Sequence, residues 1–316
     1  MLRCHYIKDQ VLHQTKDPAE IYRISIDDFV WVDMLHANLE EQKLVEQKFE
    51  IELFTRQEAE EIESSSKYAE LGGEISINSN FLVKFGDTYT NEPVSFIMKG
   101  NFLITQRNVD LKTFDDAHRR MRPNAWQDNS NFQIFIWLFE TRIDFDADFL
   151  EAIARDIADI SRDLAVERNT DESLLIKINH LQEVTMLIRV NIVDKQRIIS
   201  SILKSKLFPD EDYSKMRVMV KDVGSLLEHT QFNFERLEYL QNTFLGLLDI
   251  EQSKIIKIFT VVTVVFAPPT LIASLYGMNF RFMPELGQTW GYPFALLLMV
   301  LSSGITLFYF RKNNWL

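Results

Sequence analysis

Two apolar runs near the C-terminus, Ile258 to Phe280 and Leu286 to Phe310, carry no charge and constrain this chain more than any other feature. At ~1.5 Å of rise per residue each can cross a hydrocarbon core of ~30 Å, so both predict transmembrane helices. The expected spans are about 258–276 and 290–310, joined by a short outer loop at 277–289. Arg281 and Glu285 are the only charges between the runs. Lys254 and Lys257 precede the first run, and Arg311 and Lys312 follow the second. The positive-inside rule then places both ends in the cytoplasm and the turn outside. A plain hairpin anchor with a tight turn also fits these features.

Upstream, about 250 residues remain, enough for a sizeable core. The chain has 46 acidic and 34 basic side chains, a net charge of −12, which argues against nucleic-acid binding and suits a surface that gathers cations. A single cysteine, Cys4, excludes an intrachain disulfide framework. Met1 to Gln10 is polar, so no cleavable signal peptide is expected. No phosphate loop of the Gly-x-x-x-x-Gly-Lys type and no nucleophile motif appears. The six histidines are scattered, with no His-x-x-x-His pair, so an enzyme is not expected.

Residues 1–125 read as a mixed α/β domain. Ile21 to Ile26 alternates as a half-buried strand does, and Val30-Trp31-Val32 predicts a second. Asn38 before Leu39, with Glu41 three residues on, resembles a helix start, and Thr55 with Glu58 is a cleaner capping box. Strand-like runs follow at Glu74–Phe85, Val94–Lys99 and Phe102–Thr105, the last two joined by a hairpin at Lys99-Gly100-Asn101. Arg122-Pro123-Asn124 closes the domain.

Residues 126–209 read as an antiparallel helical hairpin. Phe132, Ile136, Phe139, Ile143, Leu150, Ile153, Ile157, Ile160 and Leu164 keep helical spacing, broken by Asp146 in the seam. After Asn169-Thr170-Asp171 a second stripe runs from Leu174 to Ile202, with Thr185 and Lys195 in its seam. Leu207-Phe208-Pro209-Asp210 ends the hairpin. A stalk helix over 210–257 starts near Glu211 and meets no proline before Pro268, about 85 Å if unbroken. Val220, Val223, Leu227, Phe234, Leu237, Phe244 and Leu248 form its stripe, which runs straight into the first span and so offers a rigid link between the two parts.

Within that span Thr260, Thr263, Ala267, Thr270 and Ser274 recur every three or four residues. Such a stripe is either a close-packing helix interface or the lining of a narrow polar pore. Two spans cannot enclose a channel, so conduction requires several copies. Pro268 and Pro269 remove the donors for the Val264 and Val265 carbonyls, and a kinked span with those groups satisfied locally is expected.

Tyr276-Gly277-Met278-Asn279-Phe280, Met283-Pro284-Glu285-Leu286, Gly291-Tyr292-Pro293, Lys312-Asn313-Asn314-Trp315-Leu316 and Pro268-Pro269-Thr270 together resemble the CorA family of magnesium channels. Weaker similarity continues through Trp31-Val32-Asp33, Leu138-Phe139-Glu140-Thr141 and Ile250-Glu251-Gln252. The resemblance implies a homopentameric funnel in the inner membrane: an α+β cytoplasmic domain, a long helical stalk and two C-terminal transmembrane helices. Five first spans would surround a pore, with Gly277, Met278 and Asn279 as the filter at its outer mouth. It favours the pore reading of Thr260, Thr263, Ala267 and Thr270. It also places Ser253, Ile256 and Phe259 in the narrow inner part, the two bulky side chains forming a hydrophobic constriction. Relatives often carry asparagine where this chain has Ser253, which puts a second hydrated-ion site there in doubt.

A Gly-Met-Asn turn suits Mg²⁺ because that ion sheds its octahedral water reluctantly. The Asn279 amide oxygen and the Gly277 carbonyl are neutral acceptors able to face bound waters. Gly277 is expected to permit the backbone conformation needed at a helix end. Met278 is expected to pack beneath the ring, since a soft thioether is a poor ligand for a hard ion. Glu285 either raises the local cation concentration or is an ordinary solvated loop charge. Membrane potential suffices as the energy source: a divalent ion crossing 100 mV gains ~4.6 kcal/mol.

The family implies feedback by cytoplasmic Mg²⁺ bound between subunits. Glu140 to Glu172 holds eleven acidic and four basic residues, which fits either such a role or a solvated helix face. Asp87, Asp222 and Glu228 are the sharper candidates. Expected partners are Mg²⁺, with Co²⁺ or Ni²⁺ as family members pass them, further copies of the chain, and lipid. The alternatives are a zinc transporter of the same superfamily and a membrane-anchored scaffold that conducts nothing.

Overall fold

A computed structural model of the chain describes residues 1–60, 67–86, 88–121, 130–167, 171–209, 212–279, 281 and 283–313. It divides into two compact units, Met1–Gln241 and Asn242–Leu316. Asp87, Phe280, Arg122-Pro123-Asn124, Asn169-Thr170, Asp210-Glu211 and Asn314-Trp315-Leu316 lie outside the described residues.

The N-terminal unit is built on one mixed sheet. Its strands are β1 (Leu2–Lys8), β2 (Val11–Thr15), β3 (Phe29–Leu35), β4 (Tyr68–Leu71), β5 (Glu74–Phe85), β6 (Thr88–Lys99) and β7 (Phe102–Arg107). Their order is β2-β1-β3-β7-β6-β5-β4. Only β3 and β7 run parallel, Trp31 opposite Leu103, and all other pairs are antiparallel. The β6–β7 hairpin turns at Gly100, whose φ of 54° is left-handed and suits a residue without Cβ.

Short helices α1 (Pro18–Arg23), α2 (Leu39–Phe49), α3 (Arg56–Glu60) and α4 (Lys112–Arg120) fill the connections. The capping box at Asn38 and Glu41 opens α2, and Thr55 and Glu58 exchange the same bonds ahead of α3. Ile21 to Ile26 is not a strand. Asp17 accepts from the Ala19 amide at 3.0 Å and Pro18 holds the first helical position, so the segment begins as α1, followed by a 3₁₀ turn at Ile26–Asp28. One core packs α2 on the sheet through Cys4, Ile21, Phe29, Val32, Met34, Val45, Phe49, Phe102 and Ile104.

Helix α5 (Asn131–Arg162) lays Phe135 and Phe139 against Phe96 of the sheet, ring centroids 5.4 and 5.5 Å apart. Helix α6 (Glu172–Ile202) returns antiparallel: Lys195 meets Asp146 at 2.9 Å, and Lys177 meets Asp156 at 3.7 Å. The seam residues read from the sequence are buried in both helices, Phe132 excepted as half-buried.

Helix α7 (Asp212–Tyr276) is continuous over 65 residues and belongs to both units. Of its expected stripe, Val223 and Leu237 are buried and Leu227 and Phe234 half-buried, whereas Leu248 is exposed. Met216, Met219, Thr230, Asn233 and Leu240 complete the buried face. The C-terminal unit holds the apolar end of α7, a 3₁₀ turn (Pro284–Gly287) and α8 (Gly291–Lys312). The most apolar stretches of α7 and α8 are 0% and 6% buried. A soluble protein's core helix is buried, so these two need lipid or other copies around them.

Candidate functional site

The C-terminal unit gathers most of the residues singled out above. Ser253, Ile256, Phe259, Thr260, Thr263, Ala267, Thr270 and Ser274 are all exposed on α7. Three hydroxyls there bond back to their own helix: Thr260 to Ile256 O at 2.8 Å, Thr263 to Phe259 O at 2.9 Å, Thr270 to Phe266 O at 2.7 Å. Each proton is spent inside the helix, so the lone pairs of each oxygen remain for an outside donor. A cation's bound water is such a donor.

Pro268 and Pro269 sit inside the helix without ending it. The Val265 carbonyl, which loses its donor to Pro269, accepts from the Ser303 hydroxyl of α8 at 3.3 Å. That satisfies one of the two freed carbonyls within the unit, as the sequence reading expected.

Helix α7 ends at Tyr276, and the Gly277 amide closes on Ala273 O at 2.9 Å. Gly277 does not take a left-handed backbone; among the described glycines a positive φ occurs at Gly72, Gly73, Gly86 and Gly100. A Cβ there would stand 3.1 Å from Ala273 O, a tight contact, and 3.6 Å from Ser274 O, an ordinary one. Met278 and Asn279 follow, both exposed. Glu285 lies in the 3₁₀ turn, also exposed, and its carbonyl passes so close to Gly291 that any Cβ there would collide with it. Trp290 and Phe294 meet edge to face at 5.6 Å beside this turn.

Comparison with known proteins settles the family. The sequence model of the CorA-like Mg²⁺ transporter protein family matches residues 27–312. A magnesium transport protein CorA from Wolinella succinogenes is 39% identical over 297 residues, 92% of this chain and 92% of that protein. The chain belongs to the CorA-like Mg²⁺ transporter family. A CorA magnesium transport protein of Escherichia coli strain K12 is 34% identical over 290 residues, covering 91% of this chain and 92% of its own. The complete structure of the CorA magnesium transporter from Methanocaldococcus jannaschii superimposes with a TM-score of 0.81 at 19% identity, over 100% of this chain and 99% of that one. That likeness concerns the fold: the mixed α/β N-terminal part, the long helix and two apolar C-terminal helices are those of CorA. Members of the family are Mg²⁺ transporters, so this is a membrane protein and Mg²⁺ its substrate class.

The acidic residues of this CorA-family chain are arranged differently from the reading above. Asp222 and Glu228 are both exposed on α7, six positions and therefore about 120° apart around the helix, so they do not share a face. No three His, Cys, Asp or Glu side chains gather as metal ligands among the described residues. The charge of Asp222 is felt at Asp144 on α5. Partial burial raises the Asp144 carboxyl above its ordinary range, and Glu140, Asp148 and Asp222 add to that while Arg120 opposes it.

Sequence reasoning passed over two polar groupings inside the N-terminal unit. Asp146 and Lys195, noted separately as breaks in two seams, are partners, and Arg142 takes the other Asp146 oxygen. His5 and His118, 113 residues apart, meet nitrogen to nitrogen at 3.1 Å and stack on Trp31. His118 also reaches Asp33 at 3.3 Å, and Arg107 pairs with the same carboxylate at 2.9 Å. Burial works against the Asp33 charge, but the His118 bond and Arg107 outweigh it and hold the carboxyl below its usual range. The signal available was weak: alternation in Leu2-Arg3-Cys4-His5-Tyr6, which forms β1.

Proposed function

We propose that this chain is a passive, potential-driven Mg²⁺ uptake channel, assembled as a homopentamer in the inner membrane with both termini cytoplasmic. Five α7 helices surround the pore. Thr270, Ala267, Thr263 and Thr260 line it, and Ser253, Ile256 and Phe259 form its narrow inner end. The turn of Gly277, Met278 and Asn279 forms an outer ring of neutral oxygens that accept hydrogen bonds from the ion's own water, so Mg²⁺ need not shed its shell at the mouth. Co²⁺ and Ni²⁺, of similar hydration, follow the same route. Glu285 gathers cations at the entrance.

One observation carries this reading: the hydroxyls of Thr260, Thr263 and Thr270 spend their protons within α7, and the face they share leads to the Gly277-Met278-Asn279 end. An anchor needs no such face. A membrane potential of 100 mV then supplies ~4.6 kcal/mol per divalent ion, roughly a thousandfold accumulation or more. Closure by cytoplasmic Mg²⁺ at inter-subunit sites, with Asp87, Asp222 and Glu228 as candidate ligands, completes the proposal.

The test is Mg²⁺ flux into proteoliposomes, wild type against Asn279→Ala. Loss of flux by about tenfold, the equivalent of ~1.4 kcal/mol at the mouth, is expected. Unchanged selective flux would remove Asn279 from the filter. A wild type that passes Zn²⁺ but no Mg²⁺ would make it a zinc transporter, and one passing neither would leave a membrane-anchored scaffold.

A further inference from the structure

Helix α8 carries four small or hydroxyl-bearing residues in a row of five, Ser302-Ser303-Gly304 and Thr306, within an otherwise apolar span. Ser302 donates to Met299 O at 2.9 Å and Thr306 to Ser302 O at 2.8 Å, both within α8. Ser303 differs. Its hydroxyl leaves its own helix and donates to Val265 O on α7 at 3.3 Å. The acceptor is set by covalent chemistry: Val265 stands four residues before Pro269, whose ring nitrogen has no hydrogen to give. A carbonyl without a donor inside a bilayer is costly, and a neighbouring helix is one of the few places a donor is found.

We infer that Ser303 is a positioning residue for ion conduction, a latch that holds α7 at its proline step by supplying the donor Pro269 lacks. This rests on the channel reading above. Val265 lies between Thr263 and Ala267, so the bond acts on the stretch of α7 whose opposite face bears the proposed lining. With the latch in place the Val265 carbonyl is held towards Ser303 of α8. Without it the Val265 carbonyl must seek water or another backbone partner, and the lining residues on either side turn with it. Ser303 touches neither the ion nor its water; it acts through α7.

The dependence on Pro269 gives the inference a specific signature. Replacing Pro269 by alanine restores an amide that can pair with Val265 O within α7, leaving Ser303 with nothing to satisfy. The experiment is a double-mutant cycle on the full-length protein in proteoliposomes, measuring Mg²⁺ flux for wild type, Ser303→Ala, Pro269→Ala and the combination, with Ser303→Thr as the hydroxyl-retaining control. Ser303→Ala is expected to lower flux by about threefold to tenfold, the range of a hydrogen bond between transmembrane helices. Ser303→Thr is expected to remain near wild type. In the Pro269→Ala background the same serine replacement is expected to change flux by less than about 1.5-fold.

An unchanged flux in Ser303→Ala, or an equal loss with and without Pro269, would overturn the latch. The midpoint of thermal unfolding in micelles is read on the same four proteins, and the same coupling is expected there. If wild type itself carries no Mg²⁺, the channel reading is what has failed, and this unfolding cycle alone decides whether Ser303 and Pro269 are coupled.

Discussion

Lys195 shows at the scale of one side chain what burial demands. Its ammonium is 1% exposed and is met by Asp146 at 2.9 Å and the Asn80 carbonyl at 3.2 Å. Burial pulls its pKa below the usual lysine value, and Asp146 opposes that. Arg142 shares the same carboxylate and lies over the Phe81 ring at 5.3 Å. Two cations on one acid make replacing the acid and replacing one cation unequal. Asp146→Asn leaves two buried cations uncompensated and is expected to destabilise the protein by ~3–5 kcal/mol. Lys195→Met removes one buried charge while Asp146 keeps Arg142, so its cost is expected to be less than half of that. Chemical denaturation of the full chain in micelles, followed by tryptophan fluorescence, checks the order; equal losses would show that Arg142 does not compensate Asp146.

Elements are tied together by groups of the same kind. His5 on β1 and His118 on α4 meet across the sheet face, with Asp33 of β3 and Arg107 of β7 behind them and Arg3 beside His5 on its own strand. An N–H must meet the Asp33 carboxylate, so neutral His118 carries its proton on Nε2 and accepts from His5 on Nδ1. Burial, then the neighbouring His118, drives His5 down to about 3 against 6.5 when unfolded, Asp33 opposing and Arg3 assisting. Between those two values the unfolded chain binds a proton that the folded chain does not. The His5 contribution is therefore fully present above pH 6.5 and is lost as pH falls towards 3, at up to about 1.4 kcal/mol per pH unit. Thermal midpoints in micelles across that window are expected to fall less steeply in His5→Gln than in wild type; parallel curves would assign the acid lability elsewhere. The misread segment at Ile21 belongs to this scale too. Alternation favoured a strand, but Asp17 and Pro18 set the backbone for α1 before alternation could act.

For the molecule as a whole, regulation is the proposal most exposed to test. Asp222 is exposed, and its charge adds to that of Glu140 and Asp148 at the Asp144 carboxyl. A cation held there, or shared with a neighbouring copy, relieves that repulsion. The expected outcome of replacing Asp87 and Asp222 together by alanine is current less inhibited by internal Mg²⁺, with the half-inhibiting concentration raised at least about threefold, as removing one modest charge contact would give. Unchanged inhibition in patch recordings would reject the pair as sensor ligands.

Whatever is periodic or local along the chain was legible in its sequence. Two charge-free runs announced the apolar helices, Asn38 with Glu41 announced α2, and Gly100 announced the β6–β7 turn. These signals are local because hydrophobic period, capping and turn chemistry act over a few residues. Tertiary structure alone decided which distant polar groups became partners: Asp146 with Lys195, His5 with His118, Ser303 with the carbonyl that Pro269 orphans. A buried charge or freed carbonyl declares in sequence that it needs a partner, and only the folded chain, by bringing one within about 3 Å, determines which residue meets that need.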